Sequence, residues 1–188
     1  MAYSAWKGAR HPLIWFWRWF FCSFGGFLLE VAFARATRSP KRDRKCFLLF
    51  PLCPVYGFAA VLILAMTEPL RPGSPGVLFL GFACATCTEY AMDLFYQYAL
   101  GVRFWDYTNM PFHIRGRVCL PFSLAWAVLS LLFVRLGAPA LDRLIAALPA
   151  ALNGPAVILT AADAAVSCAA LHRQGTTEAL RWYAPHST

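Results

Sequence analysis

The sequence predicts an all-α, polytopic integral membrane protein with about five transmembrane helices in one bundle, and three observations support this fold class. Of the 188 residues, 60% are hydrophobic and only 14% are charged, which is more apolar than a soluble domain of this length. Five stretches approach the length of about 20 residues that a helix needs to cross the hydrocarbon core. The 7 Trp and 7 Tyr supply amphipathic rings for the membrane–water boundary.

The predicted spans are separated by short connections. They lie at residues 12–36, 46–66, 76–101, 118–137 and 155–172. Proline and glycine break the chain at residues 69–76 and again at residues 153–155. No stretch between the spans is long enough to fold alone, so we expect residues 1–188 to form a single transmembrane domain.

Residues 140–152 allow two interpretations. Leucine and isoleucine recur there at helical spacing, as in a short helix that lies on the membrane surface. A plain connector between the fourth and fifth spans fits equally well.

The net charge of +8 comes from basic residues that are unevenly distributed. Six of the 17 lie in residues 35–45, between two apolar spans, which is typical of a cytoplasmic loop. We therefore expect membrane lipids and not nucleic acid as the partner of this charge. The same rule places the N-terminus outside and the C-terminus in the cytoplasm of a plasma membrane, such as the bacterial inner membrane.

Cysteine and histidine do not predict a metal site or a cofactor. Cys84 and Cys87 have the spacing of redox pairs and metal ligands, but they lie within a predicted span, where small packing residues are expected. The four histidines are scattered, and no phosphate-binding loop of the Walker type occurs. We expect no metal and no cofactor.

Four acidic residues lie inside the predicted spans, where each costs about 2.5–3.5 kcal/mol unless it is paired, protonated or hydrated. They are Glu30, Glu89, Asp93 and Asp163. Glu89 and Asp93 are four residues apart and share one helix face, so they do not ionise independently. Such a pair suits proton relay or acid–base chemistry. Alternatively, Glu89 bonds across helices and Asp93 pairs with an arginine.

The polar residues of several segments converge on one leaflet under the predicted topology. The candidate ligand-binding residues are Glu30, Tyr56, Glu89, Asp93, Trp105, Asp106, Tyr107, Arg115 and Arg117. One hypothesis is a single site in which Arg115 or Arg117 is the counter-ion of a carboxylate or of an anionic ligand. The other is that the loop clamps the helices, with Trp105 and Tyr107 anchored at the headgroups.

Several of these motifs have a family resemblance. They are Glu30, Pro54-Val-Tyr56-Gly57, Glu89-Tyr90, Phe104-Trp105-Asp106-Tyr107-Thr108, Ile114-Arg115-Gly116-Arg117-Val118-Cys119-Leu120 and Ser123-Leu124-Ala125-Trp126. Over roughly residues 20–135 the chain resembles the CmpB-like family, whose members are labelled ABC-transporter type IV permeases. Thr108 and His113 stand where family members usually carry Ser and Asn, so the specificity of a ligand site here differs if that Asn contacts ligand.

The resemblance implies a permease-like transport subunit, and the residues add an acidic site in the membrane. We expect it to bind a small polar or cationic solute with an ATPase subunit or further copies of the chain as partners. The alternatives are a membrane enzyme that acts on a lipid-linked substrate, with Glu89 or Asp106 as base and Arg117 on phosphate, and a scaffold without chemistry. The sequence leaves open whether the protein is an enzyme.

Overall fold

The computed structural model describes residues 13–38 and 45–181, and its architecture is all-α. The helices are α1 Ile14–Ala36, α2 Pro54–Leu70, α3 Ser74–Ala99, α4 Leu120–Leu132, α5 Ala138–Ala146 and α6 Asn153–Gln174. Within the described residues, four helical stretches are long and apolar enough to cross a membrane, and they are Ile14–Ala36, Ser74–Ala99, Leu120–Ala146 and Ala150–Gln174. The prediction of an all-α polytopic membrane protein is confirmed. Lys41, Arg42 and Arg44 of the predicted basic loop lie outside the described residues.

The second predicted span, residues 46–66, differs most from the structure. Residues 46–53 are not helical, and α2 begins only at Pro54, whose fixed φ suits the first turn of a helix. The Cys53 N–H donates to the carbonyl of Ser23 at 3.0 Å, although α1 continues for about 20 Å beyond Ser23. Residues 45–53, the return segment, therefore lead back along α1 into the bundle before α2 starts. The resulting helix has 17 residues and is shorter than a typical span.

Asp163 explains how the non-helical return segment is accommodated. This carboxylate lies near the middle of α6 and accepts the backbone N–H groups of Leu49 at 3.0 Å and Phe50 at 2.7 Å. Ser167, one turn later, accepts the N–H of Leu48 at 2.7 Å. Backbone that is not helical survives at membrane depth only where protein groups satisfy it. The acidic residue in the fifth predicted span thus has a structural role.

The fourth predicted span, residues 118–137, also ends elsewhere. The helical stretch continues through a π-helical turn at Phe133–Gly137 into α5, which ends at Ala146. In that turn the Ala138 N–H bonds to the carbonyl of Phe133, which accommodates the break that Pro139 imposes on an α-helix. Residues 138–146 are therefore helix, and buried Ile145 packs them against α1.

Arg18 joins three helices at the end of the bundle where α1 begins. Its guanidinium is buried and contacts Glu68 of α2 at 2.6 Å and Asp142 of α5 at 2.7 Å. The Cζ atom of Arg18 lies over the Trp15 ring, 4.7 Å from the ring centroid. This cluster closes one end of the bundle. The other end, where α1, α3 and α6 terminate, carries Arg35, Arg103 and Arg173 and is called the basic end below.

Two glycines allow α1 and α2 to pack closely. A Cβ at Gly57 would lie 2.5 Å from the backbone oxygen of Trp19, and one at Gly26 would lie 2.5 Å from Cβ of Tyr56. Small residues at such contacts let membrane helices approach one another. The approach places Tyr56, in the first turn of α2, beside the middle of α1.

Candidate functional site

A cavity of about 890 Å³ lies between α1, α2, α3 and α4, with residues 104–107 at its edge. Apolar side chains form most of its wall, including Leu29, Phe33, Leu129 and Phe133. The polar groups of the wall include Glu30, Tyr56, Glu89, Tyr107 and Trp126. The space is therefore an apolar pocket with a few polar groups, as in sites for small ligands.

Glu30 and Tyr56 form the first polar pair of the cavity. The Tyr56 hydroxyl donates to Oε1 of Glu30 at 2.6 Å, which links α1 to the first turn of α2. The short distance fits a hydrogen bond to a charged acceptor. Because Gly26 leaves room for the Tyr56 ring one turn before Glu30, the close packing of the two helices builds this pair.

Glu89 and Tyr107 form the second pair. The Tyr107 hydroxyl donates to Oε1 of Glu89 at 2.8 Å, so the loop after α3 reaches back to the middle of the bundle. Glu89 is only 5% exposed. Within the described residues it forms no ion pair, and its Oε2 and the nearby indole N–H of Trp126 have no partner at normal hydrogen-bond geometry. This carboxylate is buried in the cavity wall, and no cationic side chain of residues 13–38 or 45–181 pairs with it.

Aromatic rings surround the two carboxylates. Tyr56 and Trp126 pack edge to face with their centroids 5.3 Å apart, and Tyr107 stacks on Phe122 at 5.0 Å. All four rings belong to the cavity wall. Their faces and phenol groups hold the acidic side chains in fixed positions.

Asp93 lies one helical turn after Glu89 but in a different environment. It is fully buried, forms an ion pair with Arg117, and lies 3.6 Å from Nε of Arg103. Arg117 is itself only 5% exposed, and its guanidinium lies within 6 Å of the rings of Tyr90 and Tyr98. Both members of this pair are thus engaged with protein groups.

The loop between α3 and α4 presents Arg117 through a tight antiparallel turn. Strands β1, His113–Ile114, and β2, Val118–Cys119, pair through a turn with Gly116 at φ +68°. The Trp105 indole donates to the Arg117 carbonyl at 2.9 Å, and the Tyr107 N–H donates to the Gly116 carbonyl at 2.8 Å. These bonds fix the position from which Arg117 reaches Asp93.

Asp106 and Arg115 face outward in the same loop. The Thr108 N–H donates to Oδ1 of Asp106 at 3.0 Å. This hydrogen bond holds the pKa of the Asp106 carboxyl below its usual range, and the Arg103 guanidinium, 3.8 Å from Oδ2, lowers it further. Burial and the neighbouring Glu89 carboxylate raise the pKa of the Tyr107 phenol, so its hydroxyl remains a donor. Arg115 is exposed and forms no ion pair with a described residue.

Comparison with models of protein families identifies the family of the chain. The family model described as "Putative ABC-transporter type IV" matches residues 17–169. The chain belongs to this family. The match covers the cavity residues Glu30 to Trp126 and the Asp93–Arg117 pair. No curated protein and no solved structure matches the chain significantly.

In this member of the family, the nine predicted site residues fall into two groups. Glu30, Tyr56, Glu89, Trp105 and Tyr107 line the cavity. The other four do not, and they are Asp93, Asp106, Arg115 and Arg117. The sequence interpretation missed Arg103 as a second partner of Asp93. No periodic pattern identifies it, because it lies in an irregular loop.

Within the described ranges, no group of three or more His, Cys, Asp or Glu side chains is arranged to hold a metal ion. Cys84 is buried and Cys87 is exposed, and both are free thiols in α3. The site therefore combines carboxylates, phenols and aromatic rings with two cationic side chains, Lys45 and Arg181, which contact the Leu48 carbonyl and Glu178. Such groups can bind a ligand through hydrogen bonds, charge and ring contacts.

Proposed function

We propose that the chain is the membrane-spanning subunit of a transport system and that its cavity binds the transported solute through Glu89 and Glu30. The observation that carries the proposal is the Glu89 carboxylate, which is buried in the cavity wall and has no ion pair within the described part of the chain. An uncompensated charge at such a place is costly. A ligand that brings a compensating donor or charge would remove that cost.

The charge distribution supports an orientation for this subunit. Arg35, Arg103 and Arg173 lie at the basic end, and the cavity wall extends there to Ala36 and Arg181. Under the positive-inside rule this end faces the cytoplasm. The cavity would then receive or release its solute on the cytoplasmic side of the plasma membrane.

The family membership supports an ATPase partner. One bundle of this size has few helices for a complete transport path, so an ATPase subunit and a second membrane chain, or a second copy, would complete the system. The exposed loop around Arg115 lies at the basic end, where a cytoplasmic subunit could reach it.

The geometry weighs against the two alternative functions. An enzyme that holds a phosphate with Arg117 would first have to break the buried pair with Asp93. A scaffold without ligand would be expected to compensate its buried acidic groups internally, as the Arg117 ion pair does for Asp93 and backbone N–H groups do for Asp163. Glu89 differs from both.

Affinity purification of the tagged chain from its native membranes in mild detergent tests the proposal. We expect a nucleotide-binding subunit to accompany the chain in stoichiometric amount, and the Glu89→Gln variant to retain that subunit while its ATPase activity no longer responds to solute. Arg143→Gln, which removes an exposed charge at the opposite end of the bundle and outside the cavity wall, is the control. Recovery of the chain with lipid alone would contradict the proposal.

A further inference from the structure

The cavity combines aromatic rings with the Glu89 carboxylate, which has no ion pair among the residues that the structure describes. We infer that its ligand is a monovalent organic ammonium ion with an apolar body, bound by Glu89 and the rings around it. The inference rests on the proposed function, because it names the solute class for the same cavity. On this inference, neither an inorganic cation nor an anion is the principal ligand.

Charge is the first argument. Tyr107 occupies one oxygen of Glu89, and the indole N–H of Trp126, which lies near the other, is a neutral donor. A ligand that binds Glu89 in its ionised form must donate, because an ionised carboxylate only accepts hydrogen bonds. An ammonium group supplies N–H donors and the positive charge that no described Lys, Arg or His brings to Glu89.

The aromatic wall is the second argument. Tyr56, Tyr107, Phe122 and Trp126 present rings around the carboxylates, and a cation near such faces gains about 0.5–2 kcal/mol per contact. A cation already contacts aromatic rings near Asp93, one turn after Glu89, where the Arg117 guanidinium lies within 6 Å of the rings of Tyr90 and Tyr98. The cavity offers the same combination of acid and rings to a cation from outside.

The rest of the wall argues against an inorganic cation. Metal ions need several oxygen, nitrogen or sulfur ligands to replace their water, and most of this wall is carbon. Within the described residues no suitable group of ligands occurs. An organic ammonium ion has one charged end and is otherwise apolar, as this cavity is.

An anion is disfavoured by the placement of the cationic side chains. Arg117 is committed to Asp93 and lies outside the cavity wall. Two cationic side chains do line the cavity. The Lys45 ammonium donates to the Leu48 carbonyl at 2.6 Å, and the Arg181 guanidinium pairs with Glu178 at 2.7 Å. The Glu89 carboxylate would repel an anion that entered the cavity.

The cavity volume agrees with an amphiphilic ligand. About 890 Å³ lies at the upper part of the range of roughly 300–1,000 Å³ that is usual for small-molecule sites. Leu29, Phe33, Leu129 and Phe133 form an apolar wall between α1 and α4. The ammonium end would lie at Glu89 and the apolar body along this wall.

Calorimetric titration of the full chain in lipid nanodiscs tests the inference, with 4-phenylbutylammonium as probe and 4-phenylbutanol as its neutral counterpart. We expect the wild type to bind the ammonium about tenfold or more tightly than the alcohol, and excess sodium or potassium not to displace it. Glu89→Gln should lose that preference, whereas Arg143→Gln, outside the cavity wall, should keep it.

Equal binding of the ammonium and the alcohol by the wild type would overturn the inference, and this comparison needs no variant. Displacement of the probe by sodium or potassium would overturn it as well. A chain that purifies with an ATPase and binds no ammonium refutes this inference and leaves the proposed function intact. A chain that binds the ammonium and purifies alone refutes the proposed partner instead.

Discussion

Glu89 and Asp93 occupy successive turns of the same face of α3 and yet have different partners. Asp93 is fully buried and has an arginine pair plus a second arginine at 3.6 Å, whereas Glu89 is almost as buried and has a phenol. Burial of a charge is tolerated when protein groups compensate it. Asp93 therefore holds the loop to the bundle, whereas Glu89 remains available to a ligand in the cavity.

The largest effect is expected from Asp93→Asn. Removing one partner of a buried ion pair usually costs about 3–5 kcal/mol, because the remaining charge has no compensation. Glu89→Gln, the matched change one turn earlier, should cost about 1 kcal/mol or less, since the amide oxygen still accepts from Tyr107. Thermal unfolding in detergent measures the stability of the two variants. Equal losses of stability would contradict the different roles of Asp93 and Glu89.

A double variant tests whether Asp93 and Arg117 compensate each other. Asp93→Asn combined with Arg117→Gln removes both charges and should be more stable than the sum of the single changes implies. The same unfolding measurement gives the coupling. Strict additivity would mean that the two side chains do not depend on each other.

Asp163 is a third buried acid and should behave like Asp93. Asp163→Ala leaves the N–H groups of Leu49 and Phe50 without their acceptor, at about 1–3 kcal/mol for each group. Hydrogen exchange of the return segment should rise at the same time. Unchanged protection of these two amides would show that Asp163 does not hold the segment.

Gly26→Ala should disturb the cavity without touching Asp93. The added methyl group meets the Tyr56 side chain, so we expect a loss of about 1–3 kcal/mol and weaker binding of the ammonium probe. Gly25→Ala is the matched control, because a Cβ there has nothing within 4 Å. Similar losses in the two variants would contradict the tight contact between α1 and Tyr56.

The smallest effect is expected at exposed Asp106. Its pKa is lowered in the fold, so its carboxylate stabilises the loop above the unfolded pKa of about 3.9 and loses this role as the pH falls through the folded value. Asp106→Asn should therefore melt slightly below the wild type at neutral pH, with the difference disappearing in acid. A difference that persists at low pH would assign the effect to shape rather than to charge.

The helices could be predicted because hydrophobic stretches of suitable length mark them, and the error at residues 46–53 has a physical reason. Phe47, Leu48, Leu49 and Leu52 are as apolar as a helical span, so hydropathy does not separate a buried return segment from a helix. Pro54 was the available signal, since proline favours the first turn. The hydrogen bonds from Asp163 join residues that are far apart in sequence and leave no local pattern.

The site could be predicted only as a set of residues. Spacing placed Glu89 and Asp93 on one face, but it could not say which carboxylate has an arginine. That depends on the turn between β1 and β2, which buries Arg117 and leaves Arg115 exposed at φ +52°. A shift of two residues in this turn would bring Arg115 to the place that Arg117 occupies.

Reaction of native membranes with the hydrophobic reagent dicyclohexylcarbodiimide, followed by mass spectrometry of the α3 peptide, tests the central contrast most directly. Glu89 borders the cavity and Asp93 is closed off by Arg117 and Arg103. We predict modification of Glu89, protection of Glu89 by 4-phenylbutylammonium, and an unmodified Asp93. Equal modification of the two carboxyls, or modification of Asp93 alone, would contradict the assignment of one to the ligand and the other to the fold.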